Sequence, residues 1–312
     1  AEGLARYYGI GEMVGAENCF SGNVKVLTKE YGSIEIRKVI GDITLMNRYG
    51  SWIKSVIKNY GKQQTVEAVF RHSSSRRAIK VHVTLNHNWR RLDGTKVTTK
   101  DLVIGDQIKF VRYERQLTYV SSEYEKGQDY KNGIVHGLIF GDGHGSRRGY
   151  SIQICCDVED VLPYFDEFEK RVHYYPSKNG MPTVKLRKDY IEWRFKSTQN
   201  LKELPIGNES EAYLVGFFRG WLAADGNGSG RPGTGLTGDR KYLQWAMKIM
   251  PKFGYYFHQL KTSRLVTNFG VRKRDTCSVG ISSLSLTADD FLLRRKAKRF
   301  SEYEHNKSDF TF

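Results

Sequence analysis

Two aspartates set the first chemistry that this sequence offers. The stretch His136-Gly-Leu-Ile-Phe-Gly-Asp142-Gly143 returns as Arg219-Gly-Trp-Leu-Ala-Ala-Asp225-Gly226, 83 positions further on. In both copies an apolar helical run with small residues at i and i+4 ends in a single aspartate followed by glycine. Gly137 and Gly141 mark the first copy; Gly216, Gly220 and Ala224 mark the second. Small residues at that spacing make a groove in which two helix backbones can touch. Packed side by side, the helices would bring Asp142 and Asp225 together at their C-terminal ends. Carboxylates that close repel one another unless something cationic sits between them, and a divalent metal is the reading adopted for that cation. The plainer alternative is a pair of solvated carboxylates that merely end helices.

A second set begins at Cys19. Its thiol can attack the preceding carbonyl, that of Asn18, and move the acyl group from nitrogen to sulfur. The step needs an activated thiol and a proton for the departing amide nitrogen. An imidazole whose pKa lies near neutrality suits that second task. A single cysteine is more often an inert small hydrophobe, so the position needs partners before it means anything.

The elements that must hold these groups differ in texture. Residues 1–18 are glycine-rich and weakly periodic. From residue 19, short alternating runs at 24–27, 33–36, 42–45, 52–57, 65–70 and 78–83 are separated by Tyr-Gly and Asp-Gly turns. Many short strands at this spacing predict an all-β domain over 19–115. A polar linker, 116–129, leads to a different order. A helix at 130–140 is followed by strands at 150–155, 183–187 and 190–195, with a helix over 158–172 and a short helical piece at 201–204. The second half replays it: helix 211–224, strand slot 233–237, helix 240–253, strands near 255–259 and 277–285. Two such repeats predict a saddle-shaped α+β unit over 130–304, with 305–312 as a tail.

Composition narrows the partner. The 312 residues carry Lys+Arg 50 against Asp+Glu 34, a net charge of +16 and a pI near 9.6, which favours a polyanion such as nucleic acid. No apolar run approaches the ~20 residues of a membrane span, and the first residues lack a signal-peptide layout. Cys19, Cys155, Cys156 and Cys277 form no CxxC pair, which argues against zinc or a disulfide framework and fits a reducing cytoplasm.

Three landmarks in the β-rich part resemble the N-terminal splicing region of an intein, the Hint fold. They are Cys19-Phe20-Ser-Gly22, Thr84-Leu-Asn-His87 and Asp101-Leu-Val-Ile-Gly105-Asp106, in that order. The resemblance covers about 19–112. It implies that Cys19 performs the N–S acyl shift, that His87 protonates the amide nitrogen, and that Thr84 hydrogen-bonds and distorts the scissile amide. Residues 1–18 would then be host protein. A whole intein continues after its nuclease and closes on a His-Asn pair; His305-Asn306 is followed by Lys307 and does not supply it. The expectation is a truncated or split form that awaits a C-terminal intein fragment and cannot ligate flanking sequences alone.

The repeated motif resembles the LAGLIDADG homing endonucleases, over about 128–300, the second copy more closely than the first. The resemblance implies motif helices at the interface of pseudo-symmetric halves, two αββαββα repeats, and a final acid of each, Asp142 and Asp225, binding Mg²⁺ or Mn²⁺ over the scissile phosphates of double-stranded DNA. Lys196 sits where the family often has a basic residue near the attacking water. DNA contacts are expected from Arg147, Arg148, Lys185, Arg187, Arg194, Lys196, Arg231, Lys261, Arg264, Arg272, Lys273 and Arg274, on or beside the strands. The resulting expectation is a monomeric, cytoplasmic, intein-borne endonuclease that cuts the uninterrupted host-gene site and engages no membrane. The alternative is a nucleic-acid-binding maturase or a decayed, non-cleaving LAGLIDADG protein.

Overall fold

The computed structural model describes residues 19–46, 51–71, 78–108, 127–154, 157–166, 169–174, 189–206, 208–226, 234–262, 266–267, 270–271, 276–282 and 285–308. The expected host segment 1–18 and residues 116–126 of the expected linker 116–129 lie outside these. So do Lys185, Arg187, Arg231, Arg264, Arg272, Lys273 and Arg274 among the expected DNA contacts. The fold is mixed α and β, with several small sheets, and divides into two compact units. The first holds residues 1–116 with 244–261, and the second holds 117–243 with 262–312.

In the first unit, strands β1 (Lys25–Thr28), β2 (Gly32–Glu35), β3 (Gly41–Met46) and β4 (Trp52–Ile57) form an antiparallel sheet ordered β2-β1-β3-β4. They follow the alternation of the sequence closely. In β3, Ile43 and Leu45 are buried while Asp42 on the same strand is exposed. These two pack with Val26, Ile36, Val39 and Ile57 into one core, the usual outcome for a strand whose apolar residues recur at every second position. Strand β5 (Thr65–Arg71) forms a hairpin with β6 (Ala78–Thr84), and β7 (Asn88–Arg90) forms another with β8 (Lys96–Thr98). Just after β7, Arg91 grips Asp106, beyond β8, with two hydrogen bonds of 3.0 and 3.2 Å. The unit is rich in strands, but residues 250–253 add a 3-10 turn to it.

The second unit is built on two 15-residue helices, α1 (Gln128–Asp142) and α2 (Glu211–Asp225). Every residue from 133 to 140 and from 214 to 223 is buried. A helix that is apolar all round has to be covered on all sides, and each of these is covered partly by the other. Strands β9 (His144–Ser146), β10 (Gly149–Ile154), β11 (Glu169–Tyr174) and β12 (Asp189–Phe195) form an antiparallel sheet ordered β11-β12-β10-β9. In the second repeat, β13 (Gly235–Asp239) pairs antiparallel with β14 (Thr276–Gly280). Helix α3 (Arg240–Ile249) follows β13, and α4 (Arg294–Ser308) ends the described chain.

Three expectations are corrected. The helix over 158–172 is one α turn, Val158–Val161, and a 3-10 turn, Leu162–Tyr164; Val172 belongs to β11. Pro163 sits in the second position of that 3-10 turn and cannot donate to a helical ladder, which explains the break. Residues 201–204 are a turn rather than a helix. Residues 305–308, expected in a tail, continue α4, which is so charged that it carries no apolar stripe to betray it.

Candidate functional site

The two motif helices touch backbone to backbone. A Cβ added at Gly137 would lie 2.0 Å from the Phe217 carbonyl oxygen, and one at Gly220 would lie 2.3 Å from that of Ile134. Further along, a Cβ at Gly141 would meet the Cβ of Ala224 at 2.4 Å and Asp225 Oδ2 at 3.2 Å. The small residues expected to form the groove therefore do so, and Gly133 joins them, with Tyr213 O at 2.1 Å from its would-be Cβ. Contact this close at the C-terminal turn seats Asp225 beside the end of α1, where Asp142 is the last residue.

The carboxylates are not equivalent. Asp225 Oδ2 accepts from Trp221 Nε1 at 3.1 Å. Burial of its carboxyl, and then the charge of Asp142, hold it above the usual carboxylate range, against the pull of the Trp221 bond, Lys202 and Lys296. Both aspartates keep substantial solvent exposure, so water and a ligand can reach them.

Two lysines that the sequence did not single out complete the site. Lys202 Nζ donates to the carbonyls of Ile139, Phe140 and Gly143 at 2.9, 2.7 and 3.0 Å. Lys296 Nζ donates to those of Leu222, Ala223 and Gly226 at 3.1, 2.8 and 2.7 Å. The second trio is the first displaced by the spacing of the motif itself. An ammonium has three protons, and here each has a carbonyl at the helix end, where carbonyls run short of intrahelical donors; those of Ile139 and Leu222 accept from Gly143 N and Gly226 N as well. A cation at a helix C-terminus also meets the negative end of the helix dipole. Burial pulls both ammoniums below the ordinary lysine range, and the charges of Asp142 and Asp225 oppose that pull at each. The glycine after each aspartate belongs to the same construction: a Cβ at Gly226 would sit 2.2 Å from the Leu222 carbonyl oxygen.

Deeper between the helices, the repeat continues with different chemistry. His136 Nε2 lies 2.9 Å from the Glu203 carbonyl and Nδ1 lies 2.8 Å from the Tyr213 hydroxyl. Burial pushes this imidazole down to about 4, so near neutral pH it is uncharged and donates through Nε2 to the carbonyl, while the Tyr213 hydroxyl beside Nδ1 donates to Gln199 Oε1 at 2.9 Å. The matching position holds Arg219, which donates to Asp290 Oδ1 from Nε and Nη2 at 3.3 and 3.2 Å and to the Tyr130 hydroxyl at 2.7 Å. Tyr130 and Tyr213 are themselves matching positions, each reaching from its own helix to the other.

Of the expected DNA contacts within the described residues, Arg147 and Arg148 are exposed at the β9–β10 turn, Arg194 is exposed on β12, and Lys261 is exposed. Arg194 pairs with the buried Glu192 at 3.0 Å. Lys196 is exposed just beyond β12, next to Gly149; the lysines whose charges reach the aspartates are Lys202 and Lys296 instead. No sequence signal marks them, because a cap made across 63 residues has no periodicity.

The first unit brings Cys19, Thr84 and His87 together. The Cys19 backbone N–H, the nitrogen of the Asn18–Cys19 peptide bond, donates to Thr84 Oγ1 at 3.3 Å, and Thr84 N donates back to Cys19 O at 3.1 Å. His87 N donates to Thr84 O at 3.1 Å, and its ring lies 4.4 Å from Phe20 and 4.8 Å from Trp89 between centroids. Its buried Nδ1 has no hydrogen-bond partner among the described residues, and burial takes the imidazole down to about 4. Burial also raises the Cys19 thiol, so the sulfur is protonated at neutral pH.

Among the described residues no cluster of three or more His, Cys, Asp or Glu stands ready for a metal, and no helix is long and apolar enough to cross a membrane. No family model matches the sequence, and no curated protein does. Among the similar solved structures are two of DUF199/WhiA. Full-length DUF199/WhiA from Thermatoga maritima shares 12% identity at a TM-score of 0.39, over 60% of this chain and 63% of that one. The N-terminal LAGLIDADG domain of DUF199/WhiA shares 12% at 0.34, over 61% and 90%. The chain thus matches 63% of the length of the full-length protein.

Proposed function

We propose that this chain is a LAGLIDADG-type DNA endonuclease joined to an N-terminal self-processing region of the intein kind. The observation that carries the nuclease reading is the pair of backbone-packed helices ending in adjacent aspartates, each end closed by the same lysine cap. Two exposed carboxylates suit Mg²⁺ or Mn²⁺, which take oxygen ligands and commonly hold only one or two protein carboxylates alongside water and phosphate. Asp142 and Asp225 would hold the ion. When bound it polarises a phosphoryl oxygen and lowers the pKa of an attacking water. Lys202 and Lys296 keep the helix ends closed and offset the charge of two carboxylates, while Arg147, Arg148 and Lys196 are placed to meet backbone phosphates. One acid per repeat suits one cut per strand.

The test is cleavage of a plasmid library carrying candidate sites, with Mg²⁺ or Mn²⁺. The intact protein is expected to linearise cognate plasmid, and Asp142→Asn or Asp225→Asn to abolish linearisation. A protein that binds a site tightly in gel-shift assays yet cuts none would favour the second reading, a non-cleaving nucleic-acid-binding protein. The lysine caps support that reading specifically, since they already supply the aspartates with cationic neighbours.

For the first unit, the hydrogen bond from the Cys19 amide to Thr84 and the His87 Nδ1 that has no hydrogen-bond partner among the described residues support self-cleavage. Thr84 holds the amide nitrogen, and a neutral His87 can relay a proton to it as the acyl group moves to sulfur. Incubation of the chain with dithiothreitol is expected to release residues 1–18, seen by mass spectrometry, and His87→Ala to stop it. Release at the same rate from Cys19→Ala would rule the acyl shift out.

A further inference from the structure

The lysine caps raise the question of what holds the caps. Each lysine is borne by a segment outside the motif helices, and each segment is tied down by the same motif position. His136 donates through Nε2 to the carbonyl of Glu203, the residue after Lys202. Arg219 grips Asp290, whose second oxygen accepts from Thr287 N at 2.8 Å and so shapes the turn that opens into α4. Lys296 stands in the first turn of that helix. His136, Arg219 and Asp290 are all essentially inaccessible to solvent.

The far side of each segment is pinned as well, and it is pinned to the opposite repeat. Glu203 meets Lys241 of α3 at 3.6 Å. Arg294 and Arg295 meet Asp160 and Asp157, at 2.9 and 3.1 Å. Pairs such as these, each with a solvent-exposed cation, add little stability; the buried ties through the motif helices are the stronger constraint.

We propose that His136 and Arg219 are matched positioning residues that act through Lys202 and Lys296, fixing the ammonium groups over the two helix ends, and that the tyrosine of the opposite helix braces each. The proposal rests on the reading of those helix ends as the functional site. It makes the sixth residue before each aspartate part of the site, although neither His136 nor Arg219 touches a substrate. The two ties are alike in place and unlike in kind: one is a neutral imidazole on a backbone carbonyl, the other a buried ion pair.

The test reads the lysines directly and needs no DNA. The folded protein is labelled briefly with an acetylating reagent, and each lysine is quantified by peptide mass spectrometry. In the parent chain Lys202 and Lys296 are expected to react far more slowly than the exposed Lys298. His136→Ala should raise labelling at Lys202 by about tenfold, the equivalent of one lost hydrogen bond, with Lys296 unchanged. His136→Gln, which keeps an N–H for the Glu203 carbonyl, should restore protection. Tyr213→Phe removes only the bracing hydroxyl and should expose Lys202 to a lesser degree, which keeps the test available should His136→Ala fail to fold. Tyr130→Phe should do the same at Lys296 alone. Unchanged Lys202 labelling in His136→Ala and Tyr213→Phe, or an equal rise at both lysines, would overturn the proposal. Selective exposure in a chain that never cuts DNA would leave the proposal standing while removing the endonuclease reading.

Discussion

The two motif helices end alike and are supported differently. At both ends a lysine fills three carbonyls of matching number, and at both a glycine follows the aspartate. Six residues upstream the likeness stops: the first repeat uses an uncharged histidine, the second an arginine locked to a buried aspartate. The aspartates differ too, since the Asp225 carboxyl is partly buried and bonded to Trp221, where the matching position before Asp142 is Leu138, which has no side-chain donor. Backbone geometry is thus what the repeat preserves. Side-chain chemistry is free to diverge wherever a different group can satisfy the same carbonyl or hold the same segment.

That contrast can be broken most sharply at Arg219. Arg219→Met takes the cationic partner from the buried Asp290, and should cost about 3–5 kcal/mol, seen as a lowered denaturant midpoint for the second unit. His136→Gln at the matching site keeps a donor and should cost about 1 kcal/mol. Equal losses would show that the two ties are energetically alike.

The shared part of the comparison is tested at the helix contact. Gly137→Ala sets a methyl 2.0 Å from a backbone oxygen that cannot yield without parting the helices, and about 3 kcal/mol is expected. Gly238→Ala meets nothing within 4 Å and serves as the control, with little effect on the thermal midpoint.

Acid should separate the two supports again. The His136 imidazole is held near 4 in the fold, against an ordinary value of 6.5, so between those values the unfolded chain binds the extra proton. Stability from this group is fully present above pH 6.5 and is lost as pH falls toward 4, by up to about 3 kcal/mol. Arg219 titrates nowhere in that window. His136→Gln should therefore flatten the acid side of the stability profile of the second unit, whereas Tyr130→Phe should leave its shape intact. His87 acts in the same direction on the first unit.

The smallest effect belongs to the carboxylates. Charging Asp225 is disfavoured in the fold, so its cost is felt above the ordinary carboxylate range. Asp225→Asn should stabilise the second unit at neutral pH by less than about 1 kcal/mol, given solvent screening at its open side. Asp142→Asn should lower the Asp225 titration midpoint, followed by NMR. An unmoved midpoint would mean that the two carboxylates do not sense each other.

The sequence by itself determined the helix pair and its contact. Glycines at i and i+4 leave no side chain to separate two helices, and an Asp-Gly stop after a wholly apolar run has few other readings. It determined strands β1 to β6 of the first unit as well, because alternation with turn residues is a local property, whereas the three-residue β7 and β8 are too short to show it. The neighbours Cys19, Thr84 and His87 could be named from their order along the chain. Tertiary structure alone decided the rest. A lysine on a helix end is chosen by where a distant segment returns, so Lys202 and Lys296 carry no pattern, while Lys196 lies nearer in sequence and is exposed. The turn at Leu162–Tyr164 and helix α4 were decided there too. In the first a proline overrode an apolar period; in the second, ties from Arg294, Arg295 and Lys296 support a helix too charged to announce itself. The non-equivalence of the two aspartates has the same origin, for desolvation depends on what packs around a carboxyl and not on the residues beside it in the chain.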